Sequence, residues 1–280
     1  MPEIFSTEDF IHNIVEDLKI EEITTKKKYI GKADYHWNRF FSKHFIRRFV
    51  HQDRYFTILN TVKSNREQFI LDIGCGGGVL LSLLAQYFDQ LIGLDISLLN
   101  LKKIQEIKLK ESFGRNLEIV LGDAENLPFK NSIISTVIAS EVIEHLPTPQ
   151  KGLKEAVRVS KHDVIITLPN FLNLLSISIF GGYSFGGLFS FIKCFLRGLA
   201  FLGRRLGSVI RGEIYSSYGK EQLPHRWYSP FRGKRIIINE NMKLRSIQAS
   251  GIIPPIKSRR LKDMMPFNLL GYTTIFLIKK

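Results

Sequence analysis

A chain of 280 residues with 44% hydrophobic content can bury a full core, which excludes a disordered tail or a small disulfide-stapled module. Forty Lys and Arg against 26 Asp and Glu leave a net charge of +14. Partners are therefore expected among polyanions: nucleic acid, anionic lipid head groups or phosphorylated compounds.

The two cysteines, Cys75 and Cys194, have no metal-ligand spacing, which suits a reducing compartment such as the cytoplasm. Residues 1–10 lack the basic-then-apolar order of a secretory signal.

In chain order, residues 8–63 read as helical, with the rhythm broken at 29–37. From 39 to 59 the aromatics Phe41, Phe45, Phe49 and Phe56 alternate with basic residues, as in an amphipathic helix lying on a larger domain. A strand–turn–helix rhythm follows. Strands are expected at 69–73, 91–95, 117–121, 134–139 and 164–168, and helices at 79–88, 98–110 and 149–160. Uninterrupted apolar strands alternating with helices imply an α/β fold, a mostly parallel sheet covered on both faces. The runs 243–249 and 273–278 extend it to seven strands. The division expected is a helical extension at 1–64, a ligand-binding core at 65–170, an insert at 171–226 and closing strands at 227–280.

The first strand ends in Asp72-Ile73-Gly74-Cys75-Gly76-Gly77-Gly78. Ligands of open α/β sheets bind at the carboxyl ends of strands, and glycines let the backbone pass close to them. A dinucleotide fingerprint would space its third glycine further on, and Asp72 suits a cationic, amino-acid-like ligand better than a pyrophosphate. Asp95 closes the second strand where ribose hydroxyls would need an acceptor. Asp123 and Ala124 follow the third strand, where an adenine amine and ring would sit.

Together these motifs resemble the class I S-adenosylmethionine-dependent methyltransferase family, in the branch that methylates small molecules, quinones and lipids. The resemblance spans about residues 69–170. It implies a Rossmann-like sheet and S-adenosylmethionine as cofactor. It places Asp72, Gly74, Cys75 and Gly76 along the methionine part, Asp95 and Ile96 at the ribose, and Asp123 with Ala124 at the adenine. Ser140-Glu141-Val142-Ile143-Glu144-His145 resembles the family's fourth motif, with Glu141 on the cofactor side.

Methyl transfer to a hydroxyl needs a base close to the acceptor. His145 is the best-placed candidate; a histidine that only caps or packs a helix start is the alternative. His225, in His225-Arg226-Trp227-Tyr228-Ser229-Pro230, is a second candidate, against a plain helix-start turn capped by Ser229. Glu141, Glu144 and His145 also look like the set with which quinone O-methyltransferases hold a divalent ion, although relatives without metal share these letters. No metal is assigned here. Trp37, His36 and Tyr29 are a candidate lid.

The insert has its own composition. No acid occurs between Asp163 and Glu213, and residues 171–189 carry no charge. Wound as one helix, 191–211 gathers Lys193, Arg197, Arg204 and Arg211 on one side, opposite Phe191, Phe195, Leu199, Leu202 and Leu206. A basic stripe opposite an apolar face suits an anionic membrane surface, so residues 171–211 are expected to lie there and the acceptor to be lipid- or quinone-like. The competing readings are a lid over the acceptor pocket, a methyltransferase of RNA or a soluble sugar, and a non-catalytic cofactor-binding module. The absence of an Asn-Pro-Pro-Tyr-like tetrapeptide after the fourth strand argues against N-methylation of nucleic-acid bases.

Overall fold

The computed structural model describes residues 34–65, 69–110, 117–184, 187–218, 223–239, 242–252 and 270–280. The expectations for residues 8–33, Tyr29 among them, lie outside the described residues.

Helices α1 (Tyr35–Phe40) and α2 (Phe45–Asn65) precede a seven-stranded sheet. Its strands are β1 (Phe69–Ile73), β2 (Gln90–Asp95), β3 (Leu117–Leu121), β4 (Ile134–Ser140), β5 (Ser160–Pro169), β8 (Lys243–Ser250) and β9 (Thr273–Lys279). The order is β3-β2-β1-β4-β5-β9-β8, with β1 to β5 parallel and β9 antiparallel to both of its neighbours. Chain direction across the sheet reverses between β1 and β4. That reversal opens a crevice at their carboxyl ends, where such sheets bind ligands.

Successive strand residues point to opposite faces, and both faces are covered. Leu71, Ile73, Val137 and Ile166 pack under α5 (Pro149–Val159) and α9 (Pro230–Asn239). Ile70, Ile138 and Ile165 pack under α2, α3 (Val79–Leu84) and α4 (Leu98–Lys110). Two-sided burial is the reason these strands read as unbroken apolar runs.

The insert folds as α6 (Leu174–Phe180), α7 (Leu188–Gly203), α8 (Leu206–Arg211) and a two-stranded hairpin, β6 (Glu213–Tyr218) with β7 (Leu223–Tyr228). Asn173 caps α6, its side-chain oxygen accepting from the Leu175 and Ser176 amides at 2.8 and 3.4 Å. The single helix expected over 191–211 is broken at Arg204 and Arg205, so the basic stripe does not run continuously into α8. The hairpin was not expected. The boundary drawn at 226/227 falls inside β7, and the one at 64/65 inside α2.

Helices α6 and α7 approach backbone to backbone. A Cβ on Gly198 would lie 1.8 Å from the Ile177 carbonyl oxygen, and one on Gly181 would lie 1.8 Å from that of Cys194. Only small residues fit this seam, and four bulky apolar residues of α7 turn away from it. At 100° per residue, Phe189, Ile192, Leu196 and Leu199 span about 80° opposite Cys194 and Gly198. All four are exposed, Phe189 by 83% and Leu196 by 60%. Lys193 and Arg197 flank this face on one side. No helix among the described residues is long and apolar enough to cross a membrane.

Gly198→Ala should therefore cost about 1–3 kcal/mol by overpacking the seam. Differential scanning calorimetry should show a lowered Tm, whereas Gly203→Ala, with no atom within 4 Å of the new Cβ, should leave it unchanged or raised.

Candidate active site

The turn after β1 needs its glycines. Gly74 and Gly76 have φ of +63° and +54°. A Cβ on Gly74 would come 2.5 Å from Cγ2 of Val142, and one on Gly76 would come 3.0 Å from Cδ2 of His36. The turn is thus pressed from one side by the segment after β4 and from the other by α1. Asp95 pins it: its carboxylate accepts from the Gly76 amide at 2.8 Å, the Ser97 amide at 2.8 Å and the Asn100 side-chain nitrogen at 3.2 Å. Three donors leave a carboxylate with lone-pair capacity for another hydroxyl. Asp72 is buried within β1, and its pKa is pushed well up by burial and by Asp95, with Arg54 opposing. Cys75 is buried, and burial raises its thiol well above the ordinary range, which agrees with an unreactive residue. Ile96 is half-buried beside Asp95. Asp123 and Ala124 stand just beyond β3, where Asp123 accepts from the Glu125 amide at 2.9 Å.

Helix α1 lies over the turn. The Trp37 indole donates to the Gly77 carbonyl at 2.6 Å, and His36 faces Tyr55 at 3.4 Å. His36 is held neutral, with its pKa lowered to about 3 by burial first and then by Arg54 and Arg39. Residues 29–37 read as a break in sequence, yet residues 35–40 form a helical cover.

The segment after β4 is strained and charged. Glu141 has φ of +58°, uncommon for a residue with a side chain. Its amide donates to the Thr167 hydroxyl at 2.9 Å, and its carboxylate lies 3.6 Å from Arg54 of α2. Ile143–His145 forms one 3-10 turn. Within it Glu144 is wholly buried, and neither carboxylate oxygen has a hydrogen-bond partner among the described residues. Burial first, then Glu141, raises its pKa well above the ordinary value.

His145 and His225 meet here from distant parts of the chain, with ring centroids 4.7 Å apart. The His145 Nε2 atom lies 3.9 Å from Glu144, and ligand atoms of Glu144, His145 and His225 all fall within 4.8 Å of one another. A carboxylate with two imidazoles can share a proton or ligate a divalent ion. The set differs from Glu141–Glu144–His145, because Glu141 is engaged by Arg54 and Thr167 while His225 enters from β7. Burial, then His145, lowers the His225 pKa to about 3. Ser229 does cap α9, its hydroxyl accepting from the Arg232 amide at 3.2 Å, so the helix-start reading holds for Ser229 while His225 lies on a strand.

Residues 71–168 match the family described as "Methyltransferase domain". This chain carries a class I methyltransferase domain.

The chain is similar to norajmaline N-methyltransferase of Rauvolfia serpentina, 34% identical over 98 residues, covering 35% of this chain and 34% of that enzyme. It is also similar to the 2-methyl-6-phytyl-1,4-hydroquinone methyltransferase of Spinacia oleracea, 35% identical over 99 residues, covering 35% and 28%. The alignments thus span about a third of the length of these curated relatives. By fold the chain is similar to magnesium protoporphyrin IX methyltransferase of Synechocystis PCC 6803 with bound SAH. The TM-score is 0.57 at 14% identity, covering 92% of this chain and 99% of that one.

The methyltransferase domain fits the family's cofactor on its own residues. Asp72, Asp95, Glu141 and Glu144 surround the glycine turn and the β4 end, with Arg54 as the buried cation that faces Glu141. That excess of carboxylates suits a ligand carrying a sulfonium and an ammonium. Arg54 escaped the sequence reading, although a charge set in the apolar stripe Val50–Tyr55–Ile58–Val62 was its signal.

Glu144 makes the stability of the domain depend on pH. Its folded pKa is raised, so the folded state binds its proton more tightly than the unfolded chain. Stability from this group is full below about pH 4.5 and is lost as pH rises through the folded value. Glu144→Gln should therefore be more stable than the wild type at pH 7, with the gain vanishing near pH 4. Urea denaturation at the two pH values measures it.

Proposed function

We propose that this chain transfers a methyl group from S-adenosylmethionine to a hydroxyl oxygen of an apolar, lipid- or quinone-like acceptor presented at an anionic membrane surface. The observation that carries the chemistry is the meeting of His145 and His225 beside Glu144, on the segment after β4 whose Val142 packs against the glycine turn after β1. The cofactor supplies an electrophilic methyl on a sulfonium. Asp72, Gly74, Cys75 and Gly76 line its methionine part, Asp95 and Ile96 receive the ribose, Asp123 and Ala124 hold the adenine, and Glu141 closes the sulfonium side. His36 and Trp37 cover the turn and exclude water.

His145 is the base. Its side chain is 34% exposed, so it can reach an acceptor hydroxyl and later release the proton to solvent. His225, with its pKa lowered to about 3, stays neutral near pH 7. It therefore does not repel the imidazolium that forms on His145 when the acceptor proton moves there. An edge-on contact of His225 with the Trp227 ring, 4.9 Å between centroids, holds the second imidazole in place.

The outward apolar face of α7 supports the acceptor class. A soluble helix rarely shows its large apolar residues to water while burying glycine and cysteine. Lys193 and Arg197 flank that face, Arg204, Arg205 and Arg211 follow it in sequence, and no acid stands between Asp163 and Glu213. Basic residues near an anionic leaflet contribute about 1 kcal/mol each. The named acceptors of the relatives, norajmaline, a phytyl hydroquinone and magnesium protoporphyrin, are small molecules, which favours a small acceptor over nucleic acid.

Three measurements test this reading. Calorimetry should show S-adenosylmethionine binding weakened at least about tenfold in Asp95→Ala, the scale of one lost charge-assisted hydrogen bond. Absence of binding to the wild type would leave a non-catalytic module. In a radiolabelled transfer assay on total lipid, RNA and polar-metabolite fractions, label should enter lipid, and His145→Ala should lower the rate about 10²–10⁴-fold. Label in RNA or polar metabolites would overturn the acceptor class. The chain should co-sediment with phosphatidylglycerol vesicles, and Ile192→Asp with Leu196→Asp should abolish this; equal recovery in the supernatant with and without vesicles would overturn membrane docking.

A further inference from the structure

The β6–β7 hairpin that carries His225 stands outside the main sheet, packed onto it through the buried Ile214, Trp227 and Tyr228. Among the described residues its backbone joins the segment after β5 through the bridge between Asn170 and Tyr228 and through the Phe171 amide, which donates to the Tyr228 carbonyl at 3.2 Å. Two strands alone are marginal in water. Yet His225 must stand within reach of His145, which lies on a turn 80 residues earlier. Beyond this packing, one side chain bridges the two elements with hydrogen bonds.

Arg226 reaches from β7 to that turn. Its Nη1 donates to the Leu146 carbonyl at 2.5 Å and its Nη2 to the Pro147 carbonyl at 3.3 Å. Its Nε donates to the Tyr215 hydroxyl at 3.3 Å and lies 3.7 Å from Glu213, both on β6. Arg232 of α9 stands 3.5 Å from the other oxygen of Glu213 and steadies that acid from outside the hairpin. The planar fork of guanidinium donors thus spans three elements at once, and its side chain is only 11% exposed. Leu146 and Pro147 directly follow His145, so bonds to their carbonyls fix the turn that presents the base.

We infer that Arg226 is a positioning residue: it touches neither acceptor nor cofactor, and it sets the spacing of the His145–His225 pair by fastening the hairpin to the 3-10 turn. The inference rests on the acid–base role given above to that pair. A misplacement of about 1 Å at a reacting group costs on the order of 10²-fold in rate, so losing this fork should be visible in kcat. A lysine has one nitrogen and can serve a single carbonyl, so it should restore part of the loss.

The test compares Arg226→Met, Arg226→Lys and the pair Arg226→Met/His145→Ala in the full chain. Arg226→Met should lower kcat at least tenfold with acceptor KM and S-adenosylmethionine affinity within twofold of wild type, and Arg226→Lys should lie between. In the His145→Ala background, Arg226→Met should add less than twofold, because it acts through the base; a merely structural role would multiply the two losses. Imidazole cross-peaks of His145 and His225, assigned by single substitutions, should shift or broaden in Arg226→Met while the Trp37 indole signal stays. That spectrum decides the inference even if no acceptor is ever methylated. Unmoved imidazole signals, multiplicative losses, or a fall in kcat matched by lost cofactor binding in Arg226→Lys would each overturn it.

Discussion

The Asp95 carboxylate takes the amide of Gly76, 19 residues earlier in the chain, and on that contact the cofactor end of the sheet depends. A turn built from left-handed glycines has little conformational preference of its own. It is the bond to Asp95, with the Cys75 amide on the Leu94 carbonyl at 3.0 Å, that fixes it against β2. The same carboxylate organises the start of α4 through Ser97 and Asn100, and the Asp95 carbonyl receives the Gly122 amide at 3.1 Å. One residue therefore ties the ends of β1, β2 and β3 into a single rim. The segment after β4 completes that rim by packing Val142 onto Gly74, and the histidine pair inherits its location from this chain of contacts.

The insert obeys a different constraint. Gly181 and Gly198 bring α6 and α7 so close that the seam has no room for large side chains. In α7 the small Cys194 and Gly198 line the seam, Phe191, Phe201 and Leu202 pack beside it, and Phe189, Ile192 and Leu196 stay outside. Such an arrangement leaves apolar area in water, at about 25 cal/mol per Å². Close packing offsets part of that cost, and an apolar partner surface would recover the rest. The rim and the insert meet in the hairpin: Trp227 packs with Phe180 of α6, while Phe201, Leu202 and Val209 of α7 and α8 pack against the same cluster. The surface offered outward and the imidazole offered inward are thus parts of one packed body.

The sheet was legible because its signal is local. Two-sided burial writes an apolar run for each strand, and glycine followed by a strand-end acid writes the turn between them. All seven strands fall within a few residues of the expected positions, the largest shift being β5, which starts four residues early and carries Lys161 and Asp163 at its rim. The candidate cofactor residues were legible for the same reason. What was not legible depends on contacts between distant segments. Nothing in the sequence near His225 announces that it will meet His145, since the hairpin is held by Arg226 and a buried tryptophan rather than by a strand pattern. The helix over 191–211 misled because a wheel assumes continuity, and Arg204–Arg205 interrupts it: Arg205 turns back to donate to the Tyr215 carbonyl at 2.6 Å. The 3-10 turn changed the grouping of the acids. Glu141 and Glu144, three apart, would share a helix face, but the left-handed Glu141 sends one toward Arg54 and leaves the other beside the histidines.

The electrostatics of the pocket join these observations. Asp72, Asp95, Glu141 and Glu144 are all raised by burial, and for each the loss of water outweighs the attraction of what surrounds it. Buried charge of one sign is expensive, and a fold keeps it only where something else repays it. Arg54 offsets part through Glu141. His36 and His225, both held neutral, add no positive charge that would satisfy the acids permanently. Such a set of acids would suit a cation that comes and goes, as the proposed cofactor does. A sulfonium flanked by these carboxylates would be stabilised when it enters. Once the methyl has left, the remaining thioether is neutral and has lost that attraction. If these acids hold the cofactor as proposed, the carboxylates that burden the folded chain would favour the charged cofactor over its spent form, because entry of a cation would draw their protons off.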